Sequence, residues 1–220
     1  MSRKKQIPEE VQQPLKHYDV EISVIMPVYL GEYEGCGQNR EIKFIRAVNS
    51  FLVQDFRSKE LIIVSDGCDI AETLYNLTYK NNSEIRFFKM PKQELFSGAV
   101  RQKGIDEAKG RIISYLDSDD MLDTSHLSII HKNFDVREND WVYYNDFWYN
   151  GTVKVEHNVQ PRYTVIGTSS ISHLREINMQ WQDGWGHDWK TISKYLMKLP
   201  HRKIETPQYI ICHINNLFDV

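Results

Sequence analysis

The stretch ISYLDSDD, Ile113–Asp120, runs from apolar residues straight into three carboxylates within four positions, Asp117, Asp119 and Asp120. Like charges this close repel unless something positive compensates. A short continuous apolar run fits a strand buried on both faces, as in a parallel sheet covered by helices. The plain reading of the acids is a solvated loop, or a cap on a helix formed by MLDTSHLSII (121–130). The other reading is a metal site, because carboxylate oxygens suit Mg2+ or Mn2+.

Working outward, three more runs of the same kind precede it. EISVIMPVY stops at Pro27, ELIIVSDG at Asp66-Gly67 and EIRFFKMP at Pro91. Helical patterns lie between them. In REIKFIRAVNSFLVQ, Phe44, Val48, Phe51 and Leu52 share one face with Ile45 beside them. In SGAVRQKGIDEAKG, Val100, Ile105 and Ala108 fall near helical spacing, and Gly110 reads as the stop. The order strand, helix, strand, helix, strand, helix, strand predicts a doubly wound α/β unit with a mostly parallel sheet and helices on both faces. Residues 1–18 read as a polar tail, and 19–220 as a single domain with a nucleotide-binding half (19–120) and an acceptor half (121–220). In the second half, DWVYYNDFWYNGTVKVEH reads as a hairpin turning at Asn150-Gly151. GWGHDWKTISKYLMKLP reads as a helix ended by Pro200, with Trp189 on its apolar face, and PQYIICHINNLFDV holds a last short strand.

Composition narrows the function. Across 220 residues the net charge is -3, so no global basic field points to nucleic acid. No apolar run approaches the roughly 20 residues that span a bilayer, and the charged N-terminus has no apolar core of a secretory signal. Cys36, Cys68 and Cys212 form no disulfide framework, which fits a reducing cytoplasm.

In open α/β sheets, ligands bind beyond the carboxyl ends of the strands. Parallel strands would bring Pro27-Val28-Tyr29, Asp66 and the acidic cluster to that one edge. A divalent cation there would bridge carboxylates to a diphosphate. No GxxxxGK[ST] loop is present, and GEYEGCGQNR lacks the further glycine of a dinucleotide fingerprint.

These segments together resemble the inverting glycosyltransferases of family 2, which have the GT-A fold. SVIMPVYLGEYEGCGQNREIKFIRAVNSFLVQDF is similar to that family's first strand and helix, and LIIVSDGCD to its second-strand turn. SGAVRQKGIDEAKGRIISYLDSDD ends like its DxD motif, and GWGHDWKTISKYL resembles the segment bearing its catalytic base. The resemblance implies a UDP-sugar donor and Mn2+ or Mg2+. It implies that Pro27, Val28, Tyr29, Asp66, Arg101, Asp117 and Ser118 contact the nucleotide, that Asp119 and His213 reach the metal, and that Asp188 is the general base. Trp185 and His187 would touch acceptor or sugar. Where the family usually has Glu-Asp, this chain has His187-Asp188, and its common Asp-Asp-Gly is Ser65-Asp66-Gly67. The acceptor stays open between a saccharide, a lipid-linked glycan, a protein and DNA. Rival readings are a nucleotidyltransferase, which would need a glycine-rich phosphate loop and a basic signature, and a silent nucleotide-sugar-binding module.

Overall fold

The computed structural model describes residues 18–93, 96–134 and 138–212. In chain order its strands and α-helices are β1 (Ile22–Val28), α1 (Arg40–Leu52), β2 (Lys59–Asp66), α2 (Asp69–Thr78), β3 (Ile85–Met90), α3 (Gly98–Glu107), β4 (Ile112–Tyr115), β5 (Met121–Leu122), α4 (His126–Lys132), β6 (Trp141–Tyr143), β7 (Asp146–Tyr149), β8 (Lys154–His157), β9 (Ile171–Leu174), α5 (His187–Thr191), β10 (His201–Lys203) and β11 (Tyr209–Cys212).

The four apolar runs become β1 to β4. They lie in one seven-stranded sheet of order β10-β6-β9-β4-β1-β2-β3. β2 pairs parallel with β1 and β3, and β1 pairs parallel with β4. Strand β9 runs antiparallel to both β4 and β6, so the sheet is mixed on that side. Alternate side chains serve two cores. Leu61 and Ile63 of β2 join α1 residues Phe44, Val48 and Phe51 on one face. Ile62 and Val64 join Val100 and Ile105 of α3, with Ile192 and Leu196, on the other. Burial on both faces is why these strands carry no polar alternation.

A second sheet, of order β5-β11-β7-β8, flanks the first. The hairpin at Asn150-Gly151 supplies β7 and β8. The segment after Gly186 begins as α5 and continues as a π-helical turn over Ile192–Leu196.

Two sequence expectations change. The helix after the acidic cluster is capped at Ser125, so none of Asp117, Asp119 or Asp120 is its cap. Helix α3 ends at Glu107, so Gly110 is not its stop. Gly110 lies where β1 comes closest. A Cβ there would sit 2.4 Å from the Ser23 backbone nitrogen, and the Gly110 N–H donates to Ser23 Oγ at 2.8 Å. Backbone cannot yield as a flexible side chain does. Gly110→Ala is expected to destabilise the protein by about 1–3 kcal/mol, read as a lower urea midpoint.

Candidate active site

The acidic turn divides its carboxylates among three tasks. The Asp120 N–H donates to the Asp117 carbonyl at 3.1 Å, closing the turn beyond β4. Asp120 itself is buried and points into the protein, accepting from Tyr209 Oη and the Cys212 N–H, each at 2.9 Å. Burial, then the neighbouring Asp119 and Asp117, pushes its carboxyl well up. Asp120 therefore anchors β11. Tyr209 Oη also accepts the Asp117 N–H at 2.9 Å, so the second sheet is tied to the acidic turn through one hydroxyl.

Asp119 stays half-buried beside the N-terminal part of α1. Burial first, then Asp117, raises its pKa, while Lys43 and Arg40 pull the other way. Arg46 Nη2 donates to the Asp119 carbonyl at 2.5 Å. Arg40, Lys43 and Arg46 recur every third residue, a spacing that puts basic groups on one side of a helix. The sequence reading missed them, although the spacing was visible. No group of three His, Cys, Asp or Glu among the described residues is arranged to hold a metal ion by itself.

Asp117 pairs with Arg101, Nη2 to Oδ1, at 2.8 Å. Arg101 is only 5% exposed and stands over the Trp181 ring, 5.5 Å from its centroid. From there its guanidinium reaches across to the start of α5. His187 Nε2 lies 2.9 Å from Arg101 Nη1 and 3.0 Å from Asp188 Oδ1. One ring nitrogen serves one of these at a time. Unprotonated, it accepts from the guanidinium, which can only donate; protonated, it donates to the carboxylate. In the first state Asp188 Oδ1 is a buried oxygen with no hydrogen-bond partner. Burial opposes the charged form of Asp188. His187 and Arg101, helped by the Thr168 N–H, outweigh it and hold the carboxyl below its usual value.

The remaining expected residues fall as follows. Pro27 and Tyr29 are partly exposed at the end of β1, but the Val28 side chain is 2% exposed and packs in the core. Asp66 ends β2 with both oxygens engaged, one with Lys92 Nζ at 2.7 Å and one with the Gln93 N–H at 2.6 Å. Lys92, which the sequence reading passed over, also lies 4.5 Å from the Tyr29 ring centroid. Ser118 sits in the acidic turn, half-buried. Trp185 is 76% exposed beside His187 and Asp188, on the wall of a cavity of about 410 Å3. His213 lies outside the described residues.

Residues 23–200 match the family model described as glycosyl transferase family 2. The chain belongs to that family. Relatives include an uncharacterized glycosyltransferase of Rickettsia felis, 33% identical over 128 residues, covering 57% of this chain and 19% of the relative. The putative colanic acid biosynthesis glycosyl transferase WcaA of Escherichia coli is 31% identical over 147 residues, covering 64% of this chain and 48% of the relative. The GalNAc(5)-diNAcBac-PP-undecaprenol beta-1,3-glucosyltransferase of Campylobacter jejuni is 28% identical over 111 residues, covering 50% and 33%. The matches thus span less than half the length of each of these relatives. Among solved structures, S. aureus TarS 1-349 in complex with UDP-GlcNAc superposes with a TM-score of 0.70 at 16% identity, over 88% of this chain and 59% of that one. The expected GT-A fold is therefore the fold of this family member. Among the described residues no helix is long and apolar enough to cross a membrane.

Proposed function

We propose that the protein is a metal-dependent inverting glycosyltransferase that moves a sugar from a UDP-sugar to an acceptor hydroxyl. The observation that carries this reading is the span of Arg101, which links Asp117 at the end of β4 to the His187–Asp188 pair. A strand-end carboxylate and a carboxylate suited to be a base are thereby joined through one side chain. Family membership supports the reaction class, and the fold shared with TarS, solved with UDP and with UDP-GlcNAc, supports the donor.

In this reading Asp188 takes the proton from the acceptor hydroxyl. The acceptor oxygen attacks the anomeric carbon from the face opposite the nucleotide, its new bond forming as the bond to the diphosphate oxygen breaks. Tyr29, Asp66 and Lys92 surround the nucleotide base, while Arg40 and Lys43 offset charge near the diphosphate. Asp117 and Asp119 suit Mg2+ or Mn2+, which commonly takes one or two carboxylates and completes its shell with substrate phosphates. When bound, such an ion supplies positive charge to the departing diphosphate.

Nucleotide release from UDP-, GDP-, CDP- and dTDP-sugars, each with Mn2+, Mg2+ or EDTA, tests this. The expected result is release from a UDP-sugar that needs metal and disappears in Asp119→Ala. Failure of both release and UDP binding, with every metal, would sink the reading.

A further inference from the structure

The cavity of about 410 Å3 has a second wall that the donor site does not use. The first wall carries His187 and Asp188 with Trp185. The second comes from the β7–β8 hairpin, with Asp146 and His157 facing each other as a cross-strand pair. Asp146 is 2% exposed, an unusual place for a carboxylate, and it is fully satisfied. Its Oδ2 accepts from Ser169 Oγ at 3.0 Å and Ser170 Oγ at 2.6 Å, and its Oδ1 lies 3.0 Å from His157 Nδ1. With Oδ1 as acceptor, an imidazole proton sits on Nδ1, which orients the ring and leaves Nε2 to hydrogen-bond a ligand.

The rim is aromatic. Trp185 at 76% and Tyr163 at 51% exposure both line the cavity. Gly186, with φ at +70°, lies against the Tyr163 ring, where a Cβ would make an ordinary contact at 3.5 Å. Among the described residues no Lys or Arg lines this cavity, while Asp146 and Asp188 do. Such a lining repels phosphates. It suits a neutral molecule with apolar C–H faces for the rings and hydroxyls for the carboxylate and imidazole.

We propose that His157, oriented by Asp146, and the Trp185–Tyr163 rim form the acceptor subsite, and that its occupant is a pyranose saccharide. This rests on the glycosyltransferase reading and specifies its acceptor. His157 Nε2 hydrogen-bonds a ring hydroxyl, and Trp185 covers one sugar face. The neighbouring hydroxyl is thereby presented to Asp188.

Saturation-transfer NMR on the full chain with UDP and diamagnetic Mg2+ tests it, using a panel of methyl pyranosides and a short single-stranded DNA as probes. UDP affinity is measured separately by calorimetry. Saccharide ring protons should receive saturation. His157→Ala and Trp185→Ala should each weaken that binding about five- to tenfold, within the range of one lost hydrogen bond or stacking face, with UDP affinity unchanged. The exposed Trp185 tolerates truncation without loss of the fold. Three results would overturn the proposal: no saccharide signal while UDP binds, both variants binding saccharide like wild type, or saturation of the DNA alone. Loss of UDP binding with saccharide binding intact would instead count against the donor reading.

Discussion

Asp188→Asn is expected to slow sugar transfer by about 10²–10⁴-fold while leaving UDP affinity unchanged. Asparagine keeps the shape and the contact with the Thr168 N–H but cannot take a proton. His187 is no substitute, because its Nε2 is committed between Arg101 Nη1 and Asp188 Oδ1. The pH profile adds a second mark. Despite burial, His187 and Arg101 hold the Asp188 pKa below its ordinary 3.8. A depressed carboxylate stays charged until the pH falls through that depressed value, so from about pH 5 upward Asp188 adds no acidic limb to the transfer rate. Single-turnover transfer at saturating donor, with calorimetry of UDP, checks both. A variant within threefold of wild type would remove Asp188 from the chemistry.

How far this site was readable in the sequence depended on whether local pattern or long-range pairing sets a residue's place. The strand ends were legible, since a buried parallel strand must stop where its apolar run stops, and this put Asp66 and Asp117 on one edge. The face of each residue was not. A continuous apolar run has no alternation, so Val28 looked as available as Pro27 and Tyr29. Gly110 failed for a similar reason. Its meaning is a contact with Ser23, 87 positions away, which no local helix signal carries.

The acceptor wall shows the limit most clearly. Asn150-Gly151 signalled a hairpin, but a two-residue loop would pair Asp146 with Val155. The observed loop runs from Asn150 to Val153, so Tyr149 pairs with Lys154 and Asp146 with His157. That shift of two positions turns an unremarked histidine into half of a hydrogen-bonded pair.

Arg101→Met carries the other large effect, on stability as well as activity. The guanidinium is buried between Asp117 and the His187–Asp188 pair and also donates to Ser97 Oγ, so methionine keeps its bulk and removes every one of its donors. Removing one partner of a buried ion pair costs about 3–5 kcal/mol, because the other charge is left uncompensated. Asp117 and Asp188 remain 33% and 32% exposed, so water softens that loss, and the low end, about 3 kcal/mol, is the expectation. The pH dependence has a definite sign. A group whose folded pKa is depressed adds stability above its unfolded pKa and loses it as the pH falls through the folded value. Arg101 is one cause of that depression at Asp188. The variant's deficit should therefore be full at pH 7 and shrink below the ordinary carboxylate pKa, where wild type has lost the same contribution. The acidic limb of the transfer rate should move upward in the same variant, since Asp188 becomes easier to protonate. Arg101→Lys separates charge from geometry. A lysine restores one positive charge but not the fork that reaches Asp117 and His187 together, so it should recover part of the stability and little of the transfer rate. Urea denaturation at pH 7 and at about pH 2.5, below the ordinary carboxylate pKa, with pH–rate profiles of both variants, decides the matter. Equal deficits at the two pH values would mean that Arg101 only fills space beside Trp181.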